Sequence, residues 1–259
     1  MEENMELKPI SPFVQSIFQK YESMRPCFMS EGHFLNQFLW ENYYHTKFAC
    51  DGTALYLFFE KDGKKGALCP LCPVDHLAEA FRRMQHQFHD VWGEKMNVFL
   101  IDTLTKDVWE SAGLLSGYTI HEDRDSADYI YEAEKLKTLS GRALHKKKNL
   151  VNAFQREYEG RFSYETLSCR NIEEVKDFHE QWLDERRVDD KYNCIDNEEE
   201  GVYRLLGNCR SVDCHMGGIR MDGDLVAYSI GSYCPSIQCA FIHIEKARTD
   251  IKGLYNYIN

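Results

Sequence analysis

The dipeptide Asp-Gly recurs between short alternating runs, at Asp51-Gly52, Asp62-Gly63 and Asp222-Gly223, and this spacing commits the chain to tight antiparallel hairpins. Around the first two, Lys47 to Cys50, Ala54 to Glu60 and Gly66 to Leu71 read as a three-strand meander. Around the third, Cys214 to Met221, Leu225 to Ser232 and Gln238 to Glu245 read as a second one. Helical spacing precedes each. Phe13, Ile17, Phe18 and Tyr21 mark one helix and Phe34, Phe38 and Leu39 another, while the later half offers helices at roughly Ile172 to Arg187 and Glu198 to Leu206. A helix then follows each meander. The first is capped by Asp75 and runs to about Asp90 on Leu77, Phe81, Met84 and Phe88, and the second begins near Ile251.

The order of elements is therefore duplicated, and it predicts a mixed α/β (α+β) protein of two lobes with mainly antiparallel sheets, residues 1–135 and 136–259. A length of 259 residues suits two such lobes of roughly 130 residues each. Before residue 135, Met96 to Ile101 reads as a strand, Val108 to Leu114 as a helix, and Tyr118 to Ile120 and Tyr129 to Tyr131 as extended chain. If the halves correspond, the second lacks a counterpart of Met96 to Tyr131 and stops inside its last helix at Tyr257-Ile258-Asn259, so it is expected to be incomplete.

Composition excludes several classes. No apolar run is long enough for a transmembrane helix, and the acidic, polar stretch from Met1 to Pro9 lacks the parts of a signal peptide, which predicts a cytoplasmic protein. The ten cysteines are scattered and are expected to be reduced thiols. Cys69-Pro70-Leu71-Cys72 is a single CxxC without a second pair, and Cys209, Cys214 and His215 supply no partner set, so no metal site is expected. Phosphate-loop and dinucleotide fingerprints are absent, which argues against kinases, NTPases and dehydrogenases. A net charge of −11 repels phosphate, so any anionic partner needs a local basic patch.

One such patch exists. Ser140-Gly141-Arg142-Ala143-Leu144-His145-Lys146-Lys147-Lys148-Asn149 opens a helix whose buried side is marked by Leu144, Leu150, Val151, Phe154 and Tyr158. Cations in a first helical turn oppose the macrodipole and cost on the order of a few tenths of a kcal/mol each. A phosphate or carboxylate bound by the free N–H groups and by Arg142, His145, Lys146, Lys147 and Lys148 reverses that cost, and a plain solvated basic face is the alternative. The phase of Lys147 points toward the apolar side, at a cleft rim.

Further along, Phe241, His243 and Glu245 share one strand face opposite Ala240, Ile242 and Ile244. His243 is a candidate base or orienting group with Glu245 tuning it, against the plainer reading of an outer sheet face or a satisfied histidine. The small residues Ala227, Ser229 and Gly231 leave room for a ligand or, more simply, for close packing. Lys246, Lys252 and Gly253 surround the entry to the last helix, where backbone donors again suit an anion. Glu198-Glu199-Glu200 reads as a solvated helix start.

Taken together, Leu139 to Arg142 with His145 to Asn149, the hairpin Gly218 to Gly231, and Phe241 to Ala247 followed by Ile251-Lys252-Gly253 and Tyr255 resemble an uncharacterised bacterial family grouped with the C-terminal domain of phosphatidylglycerol lysyltransferase. The resemblance covers nearly the whole chain. It implies two tandem GNAT-like lobes facing each other, similar to the peptidoglycan-bridge aminoacyltransferases, and transfer of an aminoacyl group from aminoacyl-tRNA to an amine or hydroxyl of a small-molecule, peptide or lipid acceptor. By that analogy Arg142, His145, Lys146, Lys147 and Lys148 receive tRNA phosphates or another anionic substrate, while His243, Glu245, Lys246 and Lys252 lie near the transfer site. No transmembrane segment accompanies this copy, so a soluble acceptor suits it at least as well as a lipid. Family members continue beyond the last residue of this chain. No cofactor is firmly implied. Acetyl-CoA is disfavoured because Ile251 stands where the pyrophosphate cradle of the fold has its first glycine, and its side chain crowds the backbone approach. Two alternatives stay open: an acetyl-CoA-dependent N-acetyltransferase, and a noncatalytic anion-binding or partner-binding remnant.

Overall fold

The computed structural model describes residues 4–186 and 194–259. It is a mixed α/β chain with two sheets, one of five strands and one of four. Two compact units contain them: residues 1–127 with 200–205 and 234–239, and residues 128–199 with 206–233 and 240–259. Among the described residues no helix is long and apolar enough to cross a membrane.

In the first unit the sheet runs in sequence order through β1 (Lys8–Pro9), β2 (Lys47–Cys50), β3 (Leu55–Lys61), β4 (Lys64–Leu68) and β5 (Val98–Phe99). All neighbours are antiparallel except the last pair, which is parallel. The β3–β4 turn requires two left-handed residues, and Asp62 and Gly63 supply them at φ 52° and 70°, setting Lys61 opposite Lys64. Four helices join this sheet: α1 (Gln15–Glu22), α2 (Phe34–Tyr44), α3 (Leu77–His86) and α4 (Thr103–Ser111). Tyr56, Phe58, Phe81, Phe88 and Trp109 form the core beside β3, and the Trp109 Nε1–H donates to the Leu77 carbonyl at 2.8 Å, so the buried indole leaves no donor unsatisfied.

The second unit holds α5 (Ala133–Thr138), α6 (His145–Glu157), α7 (Ile172–Asp184), α9 (Leu254–Ile258) and most of α8 (Cys194–Gly207), around the sheet β6 (Phe162–Leu167), β7 (His215–Met221), β8 (Asp224–Cys234) and β9 (Cys239–Ala247), of which the terminal Cys234 and Cys239 count with the first unit. Its order is β6-β7-β8-β9. Asp222 and Gly223, at φ 53° and 102°, make the β7–β8 turn in the same manner, with Met221 opposite Asp224 and a bulge between Ile219 and Arg220. Phe154 of α6 packs with Ile219, Val226, Ala247, Ile251 and Leu254. Arg220 ties sheet to helix, with Nε donating to Glu165 at 2.8 Å and Nη2 to Glu174 at 2.6 Å.

Several sequence expectations shift. The β4 strand begins at Lys64 and ends at Leu68 because the tight turn fixes its start and Pro70 lacks a ladder donor; Leu71 instead exchanges two backbone bonds with Leu55 at 2.9 and 3.0 Å. The segment from Met96 to Ile101 contributes only Val98 and Phe99, since Leu100 turns left-handed at φ 55°. Helix α4 starts earlier than the apolar spacing shows, because the Asp102 side chain caps it by accepting the Thr105 N–H at 2.7 Å. Tyr118 to Ile120 and Tyr129 to Tyr131 enter neither sheet, and Tyr129 is 84% exposed. The β1, α5 and β6 elements go unforeseen, the last because its Ser, Glu and Thr leave it an edge strand with little burial. Helix α7 ends at Asp184, and Arg187 lies outside the described residues. Not every cysteine is a free thiol: Cys169 and Cys209 form a disulfide with Cα atoms 5.8 Å apart.

Candidate functional site

The basic segment lies where the second unit turns into α6. A 3₁₀ turn, Arg142–Leu144, leads into the helix, whose first turn carries no acidic residue and no side-chain cap. Leu139 and Gly141 both have positive φ, 47° and 92°, and fold the chain back ahead of the helix. The result is an open depression of about 740 Å³ lined by Leu139 to Arg142 together with His145, Lys146 and Lys148. Arg142, His145 and Lys146 are exposed, and the Lys148 Nζ donates to the Thr138 carbonyl at 3.2 Å, holding α5 against α6. The cations Arg142, Lys146 and Lys148, with His145, thus line one depression, an arrangement that suits a phosphate or a carboxylate, while the Leu144 and His145 N–H groups at the helix start are taken by the carbonyls of Gly141 and Arg142 in the 3₁₀ turn.

Lys147 departs from this group. It is half-buried, its Nζ donates to the Asn259 side-chain carbonyl, and it lies 5.9 Å from the centroid of the Tyr131 ring. Asn259 in turn donates through Nδ2 to Glu245 Oε2 at 3.0 Å. The start of α6 and the end of β9 are therefore linked through a single amide. Burial pushes the Glu245 carboxyl up, while Asn259, Lys147 and Lys246 pull it down less strongly, so its charge is held at a cost in solvation.

His243 sits two residues earlier on the same strand, and its Nε2 lies 2.9 Å from the Ser232 hydroxyl of β8. The candidate base His243 and Glu245, the residue expected to tune it, thus contact a serine and an asparagine respectively. Phe241 on this face is buried, whereas Ile242 on the opposite face is 55% exposed. Gly231 has a packing reason: a Cβ there meets the Phe241 carbonyl oxygen at 2.5 Å.

Lys246 is buried, with Nζ 2.6 Å from Glu198 and 4.1 Å from the Trp182 ring centroid. Glu198 is consequently a partly buried ion-pair partner one turn inside α8, not a solvated helix start. Trp182 also donates from Nε1 to the Tyr255 hydroxyl at 2.9 Å and the Ala247 carbonyl at 3.2 Å, a network that fixes the end of β9 to α7 and α9. Sequence reasoning missed Trp182, and the signal was its position on the apolar side of α7. Lys252 is exposed. Gly253 lies before α9 and not inside it, left-handed at φ 86°, and a Cβ there meets the Leu150 carbonyl at 2.6 Å. Ile251 is 8% exposed and packs beside Phe154, so the place of a cradle glycine is filled by core.

The family described as phosphatidylglycerol lysyltransferase, C-terminal, matches residues 27–259. The chain belongs to that family, and its mixed α/β fold is similar to those of two solved structures. A conserved protein of unknown function from Bacteroides thetaiotaomicron VPI-5482 superposes with a TM-score of 0.85 at 23% identity, over 98% of this chain and 84% of the other. L-PGS from Bacillus licheniformis superposes with a TM-score of 0.58 at 14% identity, over 100% and 74%. An uncharacterized protein of Mycoplasmoides gallisepticum is 25% identical over 145 residues, which is 54% of this chain and 43% of that protein. The match thus spans less than half the length of that relative.

Proposed function

We propose that this chain transfers an aminoacyl group from aminoacyl-tRNA to an amine or hydroxyl acceptor, receiving the donor's phosphates in the basic depression at the start of α6. One observation carries the reading. A chain of net charge −11 gathers Arg142, His145, Lys146 and Lys148 around one open depression, at a helix terminus where unliganded cations oppose the dipole. Membership of a family named for lysyl transfer supports the reaction class.

In the reaction the acceptor nitrogen or oxygen attacks the ester carbonyl and passes its proton to a base, a tetrahedral oxyanion forms, and its collapse breaks the ester C–O bond as the base returns that proton to the leaving ribose oxygen, releasing the tRNA hydroxyl. Positioning and oxyanion stabilisation supply most of the rate. His243 is the base of this proposal, with Glu245, Lys246 and Lys252 near the transfer site. The acetyl-CoA reading loses support because Ile251 is core.

A second reading, a noncatalytic module that binds an anion, is favoured by one observation: His243 and Glu245 are engaged with Ser232 and Asn259 and not with each other. Incubation of purified protein with radiolabelled aminoacyl-tRNAs and cell extract separates them. Transfer predicts that label leaves tRNA faster than by spontaneous hydrolysis, and that His243→Ala abolishes this. Retention of label on bound tRNA contradicts transfer and selects the binding module.

A further inference from the structure

Three buried side chains of different chemistry converge in the first unit, outside the depression at α6. Glu22 closes α1, His33 precedes α2, and Cys234 belongs to the segment 234–239 of the same unit. They are 7%, 3% and 6% exposed, and one donor atom from each lies within 4.8 Å of the other two. We propose that Glu22, His33 and Cys234 form a binding site for a divalent transition metal of the zinc class.

Geometry, donor chemistry and charge each support the site. The His33 Nε2 lies 3.2 Å from the Cys27 carbonyl oxygen, an acceptor only, so this nitrogen bears the proton. In the neutral ring the lone pair is then on Nδ1, which faces Glu22 Oε2 at 3.5 Å. That separation is long for a hydrogen bond and close to the edge of a tetrahedron with metal bonds of about 2.0–2.1 Å, roughly 3.3–3.4 Å. Metal-binding imidazoles typically donate their second nitrogen to a carbonyl or carboxylate in this way, which fixes the tautomer and the ring plane. Glu22 is oriented as well, since Oε1 accepts the Phe34 N–H at 3.2 Å. The Cys234 sulfur lies 3.2 Å from the Ser236 hydroxyl, which can donate to a thiolate.

One imidazole, one carboxylate and one thiolate are the donors that zinc accepts, and they provide three of four tetrahedral positions. A carboxylate and a thiolate also balance a divalent cation, so the loaded site is neutral and suited to burial, whereas the carboxylate alone carries a charge out of water. No ligand-spacing motif announces this site, because its donors are 11 and 201 positions apart along the chain.

The test uses the full chain stripped with chelator and then titrated with zinc or with cobalt as a spectroscopic probe. The proposal expects one metal per chain and, with cobalt, a thiolate-to-metal charge-transfer band together with the intense visible bands of a tetrahedral ion. Cys234→Ser, the conservative change, is expected to lose the charge-transfer band and at least tenfold in affinity, while Cys239→Ser retains both. His33→Gln should also lose at least tenfold, and circular dichroism shows whether it is folded. Wild-type protein that stays metal-free, with cobalt showing only the weak spectrum of the hydrated ion, overturns the site. So does a Cys234→Ser protein that keeps the charge-transfer band.

Discussion

Asp51 shows how much one side chain can organise. Its Oδ1 accepts the Thr53 and Ala54 N–H groups at 2.9 and 2.8 Å and the Thr53 hydroxyl at 2.7 Å, while Oδ2 accepts the Tyr56 hydroxyl at 2.9 Å and pairs with Arg83. Burial opposes the charge, but these donors outweigh it and hold the carboxyl at about 2, below its ordinary 3.8. A depressed carboxylate binds fewer protons folded than unfolded, so its contribution is fully present above the ordinary value and is lost as pH falls toward about 2. Asp51→Asn is therefore expected to cost on the order of 2 kcal/mol at neutral pH and less in acid. Urea unfolding at both conditions measures this, and an equal cost at each contradicts the assignment.

At the scale of elements, hairpins were the most legible part of the chain. Asp62-Gly63 and Asp222-Gly223 each supply the two positive φ values their turns require, and the strands beside them fall within a few residues of expectation. Elements whose cause is not periodic were less legible: α4 begins at its Asp102 cap, and β6 is held by pairing with β7 with little burial of its own. Gly253 carries the same lesson. Its sequence position beside Lys252 suggests an anion-binding turn, but its conformation and its contact with the Leu150 carbonyl answer to the packing of α9 on α6. Gly253→Ala should destabilise the fold by about 2 kcal/mol or more, through a left-handed backbone and a steric clash together. A urea midpoint unchanged from wild type contradicts that account.

For the whole molecule, the sequence made the two-sheet mixed α/β class legible through its hairpin turns and the helical spacing around them, and it singled out the charged stretch at the start of α6. What it did not disclose depends on distant partners. The Lys246–Glu198 pair, the Cys169–Cys209 disulfide and the Glu22, His33 and Cys234 cluster each join residues far apart in the chain, so no local spacing encodes them. Nor does local spacing reveal that His243 and Glu245, neighbours on one strand face, reach different partners.

The proposed donor site makes a quantitative demand on this molecule, because a protein of net charge −11 must hold a polyanion through a local patch alone. Affinity for tRNA, measured against salt for wild type and for Arg142→Gln, Lys146→Gln, Lys148→Gln combined, tests this directly. Wild type should bind with a steep salt dependence. Each lost phosphate contact lowers the magnitude of the log–log slope by about 0.7–1, so the triple variant should bind more weakly with a slope smaller by about 2–3. Equal affinity and equal slope for the two proteins would contradict the depression at α6 as the place where the anion is held.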